Sequence, residues 1–411
     1  MNAFCPGDLI RCTLGGSERR GVYITDRDGM AVLKLENGYN IGVFLEDCSL
    51  IERPSPHPAV KVDVKQDENL PLLSIVSTGG TIASRIDYRT GAVTSQFDAA
   101  DILRAIPGLR DIAQYRTKKL YTILSENMTP SIWQELARAV YEEIKDGARG
   151  VIVTHGTDTM AYSSAALSFM LETPVPVLFV GSQRSADRPS SDNMMNALCS
   201  AKAAVGDLGE VAVVMHDGTS DDRCAIHRGT RVRKMHTSRR DAFRSVGIPP
   251  LGYVDYPSLS ITLSPRAVRR NSSEPGIRDR LEPHCSILMF SPGSSPDLIA
   301  AYSGYRGLVI AGSGLGHVST TLIPALRELI DEGTLVVMTS QCLHGRVCDR
   351  VYDTGRDLLR IGVVEGEDML PETALVKLMW VLGNEPDPEK ARMMIQDDRK
   401  GDFTRRSLHG L

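Results

Sequence analysis

Two short stretches of this 411-residue chain set hydroxyl, carboxylate and free backbone N–H groups directly behind apolar runs. The first is Ser74-Ile75-Val76-Ser77-Thr78-Gly79-Gly80-Thr81-Ile82-Ala83-Ser84. Leu72 to Ser77 is apolar and β-branched, which predicts a buried strand, and Gly79-Gly80 stops it. Only glycine lets backbone turn so tightly and approach a ligand so closely. Thr78 and Thr81 bracket the turn, so two hydroxyls and several N–H groups gather where the strand ends. The second stretch is Gly150-Val151-Ile152-Val153-Thr154-His155-Gly156-Thr157-Asp158-Thr159, again an apolar strand running into a glycine turn with hydroxyls and a carboxylate. In open α/β sheets ligands bind at the carboxyl ends of strands. Two such clusters in one chain point to one site.

Each residue also has an ordinary structural reading. The Gly-Gly pair serves any tight turn, and Thr157-Asp158 would suit a helix N-cap. Lys234, within Arg231-Val232-Arg233-Lys234-Met235-His236-Thr237, could be one more charge in a solvated basic loop.

Thr78-Gly79-Gly80-Thr81-Ile82-Ala83 and His155-Gly156-Thr157-Asp158-Thr159 together resemble the two signature segments of the L-asparaginase/glutaminase family. The resemblance runs from about Leu70 to about Gly383. The N-terminal extension and the Arg-rich stretch Arg223 to Arg244 further resemble the glutaminase subunits of the archaeal glutamyl-tRNA(Gln) amidotransferase. Amide hydrolysis needs a nucleophile, a base and donors for the tetrahedral oxyanion. A threonine hydroxyl is almost never ionised at neutral pH, so an activating network is obligatory. The resemblance makes Thr81 the nucleophile and Thr157, Asp158 and Lys234 the companion triad. The lysine must be neutral to act as a base; burial and the cationic neighbours Arg231 and Arg233 favour that, while Asp158 opposes it. The resemblance assigns substrate binding to Ser125 and Glu126, together with Thr157 and Asp158, with Glu126 suited to an α-ammonium group. It also brings in Tyr88, at a spacing from Thr81 shorter than in the bacterial enzymes. Gly312-Ser313-Gly314-Leu315-Gly316-His317 falls where bacterial asparaginases present an asparagine to the neighbouring protomer, and neither Leu315 nor His317 copies that amide. The same turn lacks the acidic residue that a dinucleotide site requires.

The elements that must position these groups alternate strand and helix patterns, the mark of a mostly parallel sheet. The expected architecture is α/β: a two-domain asparaginase-like fold preceded by a small β-barrel. Residues 1–53 form that barrel, with hairpin signals at Asp28-Gly29 and Asn37-Gly38. A Pro-rich linker (54–69) follows, with Pro54, Pro56 and Pro58 favouring an extended spacer. Residues 70–264 make the main α/β domain, 265–283 a connection and 284–384 a smaller α/β domain. Residues 385–411 read as a loose charged tail.

With 42% apolar and 24% charged residues and a net charge of −4, bulk charge does not announce a nucleic-acid binder. The Arg-rich stretch remains open to three readings: a solvated loop, a phosphate patch, or the frame of the catalytic lysine. The eight cysteines form no C-x-x-C pair and read as reduced thiols, and no uncharged run reaches membrane-spanning length. The expected location is cytoplasmic. No histidine groups with other ligands at metal spacing, so no metal or cofactor is expected in this chain.

The resemblance implies glutamine as amide donor and a partner, the E-type subunit of the amidotransferase, which supplies ATP and Mg²⁺ chemistry and holds most of the tRNA(Gln). It implies a heterotetramer with two copies of each protein around a homodimer core. The competing readings are a free-standing cytoplasmic L-asparaginase and a catalytically silent scaffold.

Overall fold

The computed structural model describes the chain except residues 1–3, 28, 37–38, 54–65, 80–84, 87–92, 95–101, 104, 186–187, 189 and 407–411. Thr81, Tyr88, most of the Pro-rich linker, and Asp28, Asn37 and Gly38 of the two hairpin signals lie outside the described residues.

Strands β1 (Leu9–Leu14), β2 (Ser17–Arg27), β3 (Met30–Leu35), β4 (Asn40–Phe44) and β5 (Cys48–Glu52) pair antiparallel in the order β4-β3-β2-β1-β5. Alternation along them turns Ile10, Cys12, Tyr23, Ala31, Leu33 and Val43 into one small core. Strand β5 is short and half-polar, and its sequence pattern does not announce it. One contact to the main domain is the Arg188 guanidinium over the Tyr39 ring, 5.5 Å from its centroid.

The main domain is an eight-stranded sheet. Its parallel half comprises β6 (Leu72–Ser77), β7 (Gln114–Lys119), β8 (Gly150–Thr154), β9 (Val177–Val180) and β10 (Val211–His216). An antiparallel extension follows through β11 (Arg223–Arg228), β14 (Gly252–Asp255) and β15 (Ile261–Leu263). Between β11 and β14 a separate hairpin forms from β12 (Val232–Lys234) and β13 (Phe243–Ser245), pairing Lys234 with Phe243. The full sheet order is β15-β14-β11-β10-β9-β8-β6-β7.

Helices α1 (Pro130–Lys145) and α2 (Met160–Met170) cover one face, and α3 (Asn193–Val205) packs on the other. Helix α1 starts at Pro130 behind Thr129, whose hydroxyl caps Ile132 N–H, and buries Trp133, Leu136, Ala137, Val140 and Ile144 on one stripe. Helix α2 is buried on nearly every side, which is why it reads as apolar throughout.

The second unit has four parallel strands, β16 (Cys285–Met289), β17 (Gly307–Gly312), β18 (Leu335–Ser340) and β19 (Val364–Glu365). Helices α4 (Ile323–Asp331) and α5 (Asp353–Ile361) lie on one face. The other face carries α6 (Pro371–Asn384), which also packs on α2, with the Phe169 and Trp380 rings stacked 6.0 Å apart. The cores of the two units are therefore continuous.

The reading of residues 385–411 as a loose tail is corrected for 385–406, the part that is described. Helix α7 (Pro388–Ile395) forms behind an Asp387 cap and buries Ala391 and Ile395, and Phe403 is buried beyond it. Asp402 makes a fully buried ion pair with Lys377 of α6 at 2.6 Å. Charge alone misleads here because one of these charges, Asp402, is neutralised by Lys377 inside the protein. No helix among the described residues is long and apolar enough to cross a membrane.

Candidate active site

The two glycine turns meet because their strands are neighbours in register. β6 and β8 pair in parallel with Ser77 opposite Thr154. Thr154 Oγ1 donates to Ser77 Oγ at 3.1 Å, and the Thr78 N–H and hydroxyl both donate to the Thr154 carbonyl at 3.1 Å. The Thr78 hydroxyl is thus spent on tying the strand ends together. Gly79 has φ +128°, and a Cβ there would run into the Ile123 carbonyl, so glycine is required for this contact.

That approach draws in the segment carrying Ser125 and Glu126. Ile123 N–H donates to the Thr78 carbonyl at 3.1 Å. Ser125 is buried in a short 3₁₀ turn (Ser125–Asn127) and faces the second glycine turn, where the Thr159 hydroxyl donates to its carbonyl at 2.6 Å. Glu126 beside it is exposed.

Thr157 and Asp158 do not cap the following helix; the N-cap of α2 is Thr159, with no side-chain cap bond. Their side chains instead meet Lys234. Its Nζ lies 2.9 Å from Thr157 Oγ1 and 2.7 Å from Asp158 Oδ1. The lysine side chain is 13% exposed, whereas that of Asp158 is 67% exposed. Lys234 gets there at the end of β12, whose hairpin arches back over the carboxyl ends of the parallel strands. The sequence-predicted residues Ser125, Thr157, Asp158 and Lys234 therefore come together on three separate segments.

Of the three readings of Arg223 to Arg244, a solvated loop fits only residues 235–239, which are exposed, and not Arg223 to Lys234. Arg223–Arg228 is a sheet strand with Cys224 to His227 buried, and Arg231 is buried completely. The two arginines flanking Lys234 are each paired away from it, Arg231 with Asp368 at 3.0 Å and Arg233 with Glu372 at 3.6 Å. Burial raises the Glu372 carboxyl above its ordinary range, and Arg233 only partly offsets this.

His155, one residue before Gly156, is a site residue that sequence reasoning misses. It is wholly buried, and its Nδ1 donates to the Gly156 carbonyl at 2.6 Å. Burial pushes its imidazole down to about 4, so it stays neutral at pH 7 and holds the turn as a fixed donor. The sequence marks it only as the first residue of the second signature segment, between an apolar strand and a glycine, with no role attached. Among the described residues no group of three or more His, Cys, Asp or Glu side chains could hold a metal ion.

What this arrangement can do chemically is proton handling at a hydroxyl. As an ammonium, Lys234 donates to both oxygens; as a neutral amine it keeps one N–H to Asp158 and accepts the Thr157 proton.

Three family models match the chain. One described as "Asparaginase, N-terminal" matches residues 72–267, and one described as "Glutaminase/Asparaginase C-terminal domain" matches 284–395. A third, described as "GatD N-terminal domain", matches 4–52. Among solved structures, the thermostable L-asparaginase from Thermococcus kodakarensis is similar with TM-score 0.73 and 33% identity, over 81% of this chain and 99% of that one. L-asparaginase I from Vibrio cholerae follows at TM-score 0.70 and 27% identity, over 82% and 99%. Proteins named as the D-type subunit of glutamyl-tRNA(Gln) amidotransferase are 52% identical in Methanosarcina mazei and 54% identical in Archaeoglobus fulgidus. Both alignments cover 98% of this chain, and 99% and 96% of the respective relatives. The chain belongs to the family of D-type subunits (GatD) of glutamyl-tRNA(Gln) amidotransferase, built on the asparaginase fold.

Proposed function

We propose that this chain is the glutaminase component of a glutamyl-tRNA(Gln) amidotransferase, hydrolysing glutamine to glutamate and ammonia. The observation that carries the reading is the contact of Lys234 with both Thr157 and Asp158, set beside Ser125 in a chain of this family. Thr81 attacks the amide carbon of glutamine, and its proton passes through the hydroxyl–amine relay to the leaving nitrogen. Ammonia departs and leaves an ester on Thr81. Water, deprotonated by the same relay, then releases glutamate. Ser125, Glu126, Thr157 and Asp158 hold the α-carboxylate and α-ammonium groups.

The released ammonia goes to a partner, the amidotransferase's E-type subunit, in a cytoplasmic heterotetramer with two copies of each protein around a homodimer of this chain. There ATP and Mg²⁺ activate the glutamate of Glu-tRNA(Gln), which the partner mainly binds. This chain itself uses no cofactor. A hydrolase that feeds a second centre gains from a docking module, since free ammonia is lost to solvent, and residues 4–52 supply one candidate.

The likeness to L-asparaginases supports a second reading, a free-standing asparaginase. Ammonia release from glutamine and from asparagine, with and without partner and Glu-tRNA(Gln), separates the two. Glutamine turnover raised by partner and charged tRNA supports the proposal. Fast asparagine turnover that tRNA leaves unchanged overturns it in favour of the second reading.

A further inference from the structure

Arg231 is among the largest side chains buried without any exposure, and it stands three residues before Lys234. Its guanidinium makes four hydrogen bonds. Nε donates to the Val246 carbonyl at 3.0 Å, Nη1 to the Asp368 carbonyl at 2.9 Å and to the Asp402 carbonyl at 3.0 Å, and Nη2 to Asp368 Oδ2 at 3.0 Å. Those acceptors belong to three places: the end of the lysine hairpin, the turn before α6, and the C-terminal segment.

The C-terminal segment is fastened independently. Lys377 Nζ donates to the carbonyls of Ile395 and Asp397 and to Asp402 Oδ2, while Asp402 Oδ1 accepts the N–H groups of Arg399 and Lys400. Thr404 closes the loop with its N–H and hydroxyl on the two oxygens of Asp368. Thr230 is held as well, donating to the Lys400 carbonyl at 3.0 Å and accepting from Thr373 at 2.9 Å. A Cβ at Gly247, where φ is +73°, would collide with the guanidinium, so the hairpin end closes on the arginine without slack.

From this we infer that Arg231 and the segment 396–404 are a brace that sets where the Lys234 amine stands: Arg231 is a positioning residue, acting through the hairpin. Three features argue for position over bulk stability. The hairpin is only three residues per strand and is not part of the main sheet. Lys234 ends its first strand three residues beyond Arg231, so a small tilt at Arg231 displaces Nζ relative to Thr157 and Asp158. The planar fork of arginine satisfies four acceptors in fixed directions, which a lysine cannot copy. A charge-assisted pair so placed is sensitive to displacement of the order of an ångström.

The inference rests on the proposed function only in giving Lys234 a catalytic task; its test reads the amine directly. In the full-length chain, competitive acylation of Lys234 is followed by mass spectrometry between pH 6 and 10, alongside kcat and KM for glutamine and the thermal midpoint. Arg231→Lys is expected to raise the Lys234 acylation rate several-fold, to shift its pH midpoint and to lower kcat about tenfold with KM within threefold. Thr404→Val, which removes one hydroxyl bond to Asp368, is expected to give the same changes at two- to threefold, and decides the matter if Arg231→Lys does not fold. A lowered thermal midpoint with unchanged Lys234 acylation and unchanged kcat overturns the brace. Altered acylation in Arg231→Lys, combined with full activity in Lys234→Arg, keeps the brace but removes the catalytic role of the lysine.

Discussion

A Cβ at Gly156 would stand 2.7 Å from the Cβ of Ser125, so the second glycine turn and the short 3₁₀ turn touch only because one of them has no side chain. That closeness fixes Ser125 beside Thr157 and Asp158 without any charged contact.

Gly156→Ala should force the two turns apart. Overpacking of this kind costs about 1–3 kcal/mol, and relief by moving Ser125 would weaken the grip on substrate. The expected result is a folded protein with KM for glutamine raised about tenfold and kcat less affected. Steady-state kinetics with a denaturation curve check it; an unchanged KM would remove Ser125 from the substrate site.

Lys234→Arg keeps the cation near Asp158 but cannot be deprotonated at working pH. Loss of a relay base predicts a fall in kcat of about 10²-fold or more, with stability nearly unchanged. Normal turnover would leave the lysine as a purely structural partner of Asp158.

Lys377→Met leaves the Asp402 carboxylate buried without its cation. Breaking such a pair from one side costs about 3–5 kcal/mol. Urea denaturation should show this as a large drop in midpoint. A change below about 1 kcal/mol would mean the segment beyond α7 adds little to the fold.

Asp349 offers a pH test. It is fully buried, neither carboxylate oxygen has a hydrogen-bond partner among the described residues, and burial with repulsion from Glu365 pushes it up to about 7 from 3.8. The folded state therefore binds the extra proton between those values. The associated stability is fully present below the lower one and is lost as pH rises through the upper. By the usual conversion this amounts to at most about 4 kcal/mol. Asp349→Asn cannot titrate, so its stability relative to the parent should climb from pH 4 to 8. A difference that stays flat across that range would show that the carboxyl titrates normally.

Much of the site was legible because its residues sit at strand ends marked by β-branched runs and glycines. Leu72 to Ser77 and Gly150 to Thr154 are strands with the predicted bounds, and the turns after them meet because parallel neighbours end together. Lys234 was reachable only through the family resemblance, since its contact with Thr157 spans 77 positions. The sheet role of Arg223–Arg228 was hidden for another reason: its arginines mark the ends of a strand whose middle is buried, and its antiparallel pairing to β14 is long-range, no closer in the chain than Ile226 with Gly252. The C-terminal segment misled because its Asp402 carboxylate is paired with Lys377 and its Asp402 carbonyl accepts from Arg231, which nothing local announces. Strand β7, with the sequence Gln-Tyr-Arg-Thr-Lys-Lys, lies at the sheet edge, where polar residues are tolerated and periodicity fades.

The stacking of Phe169 on Trp380 has a mechanical consequence. With α6 shared between the two α/β units, rotating one against the other would open a gap in the middle of a close-packed interior. The groups at the strand ends, Ser125, Thr157, Asp158 and Lys234, are therefore carried on a frame that stays put, and their mutual spacing is a property of that shared interior.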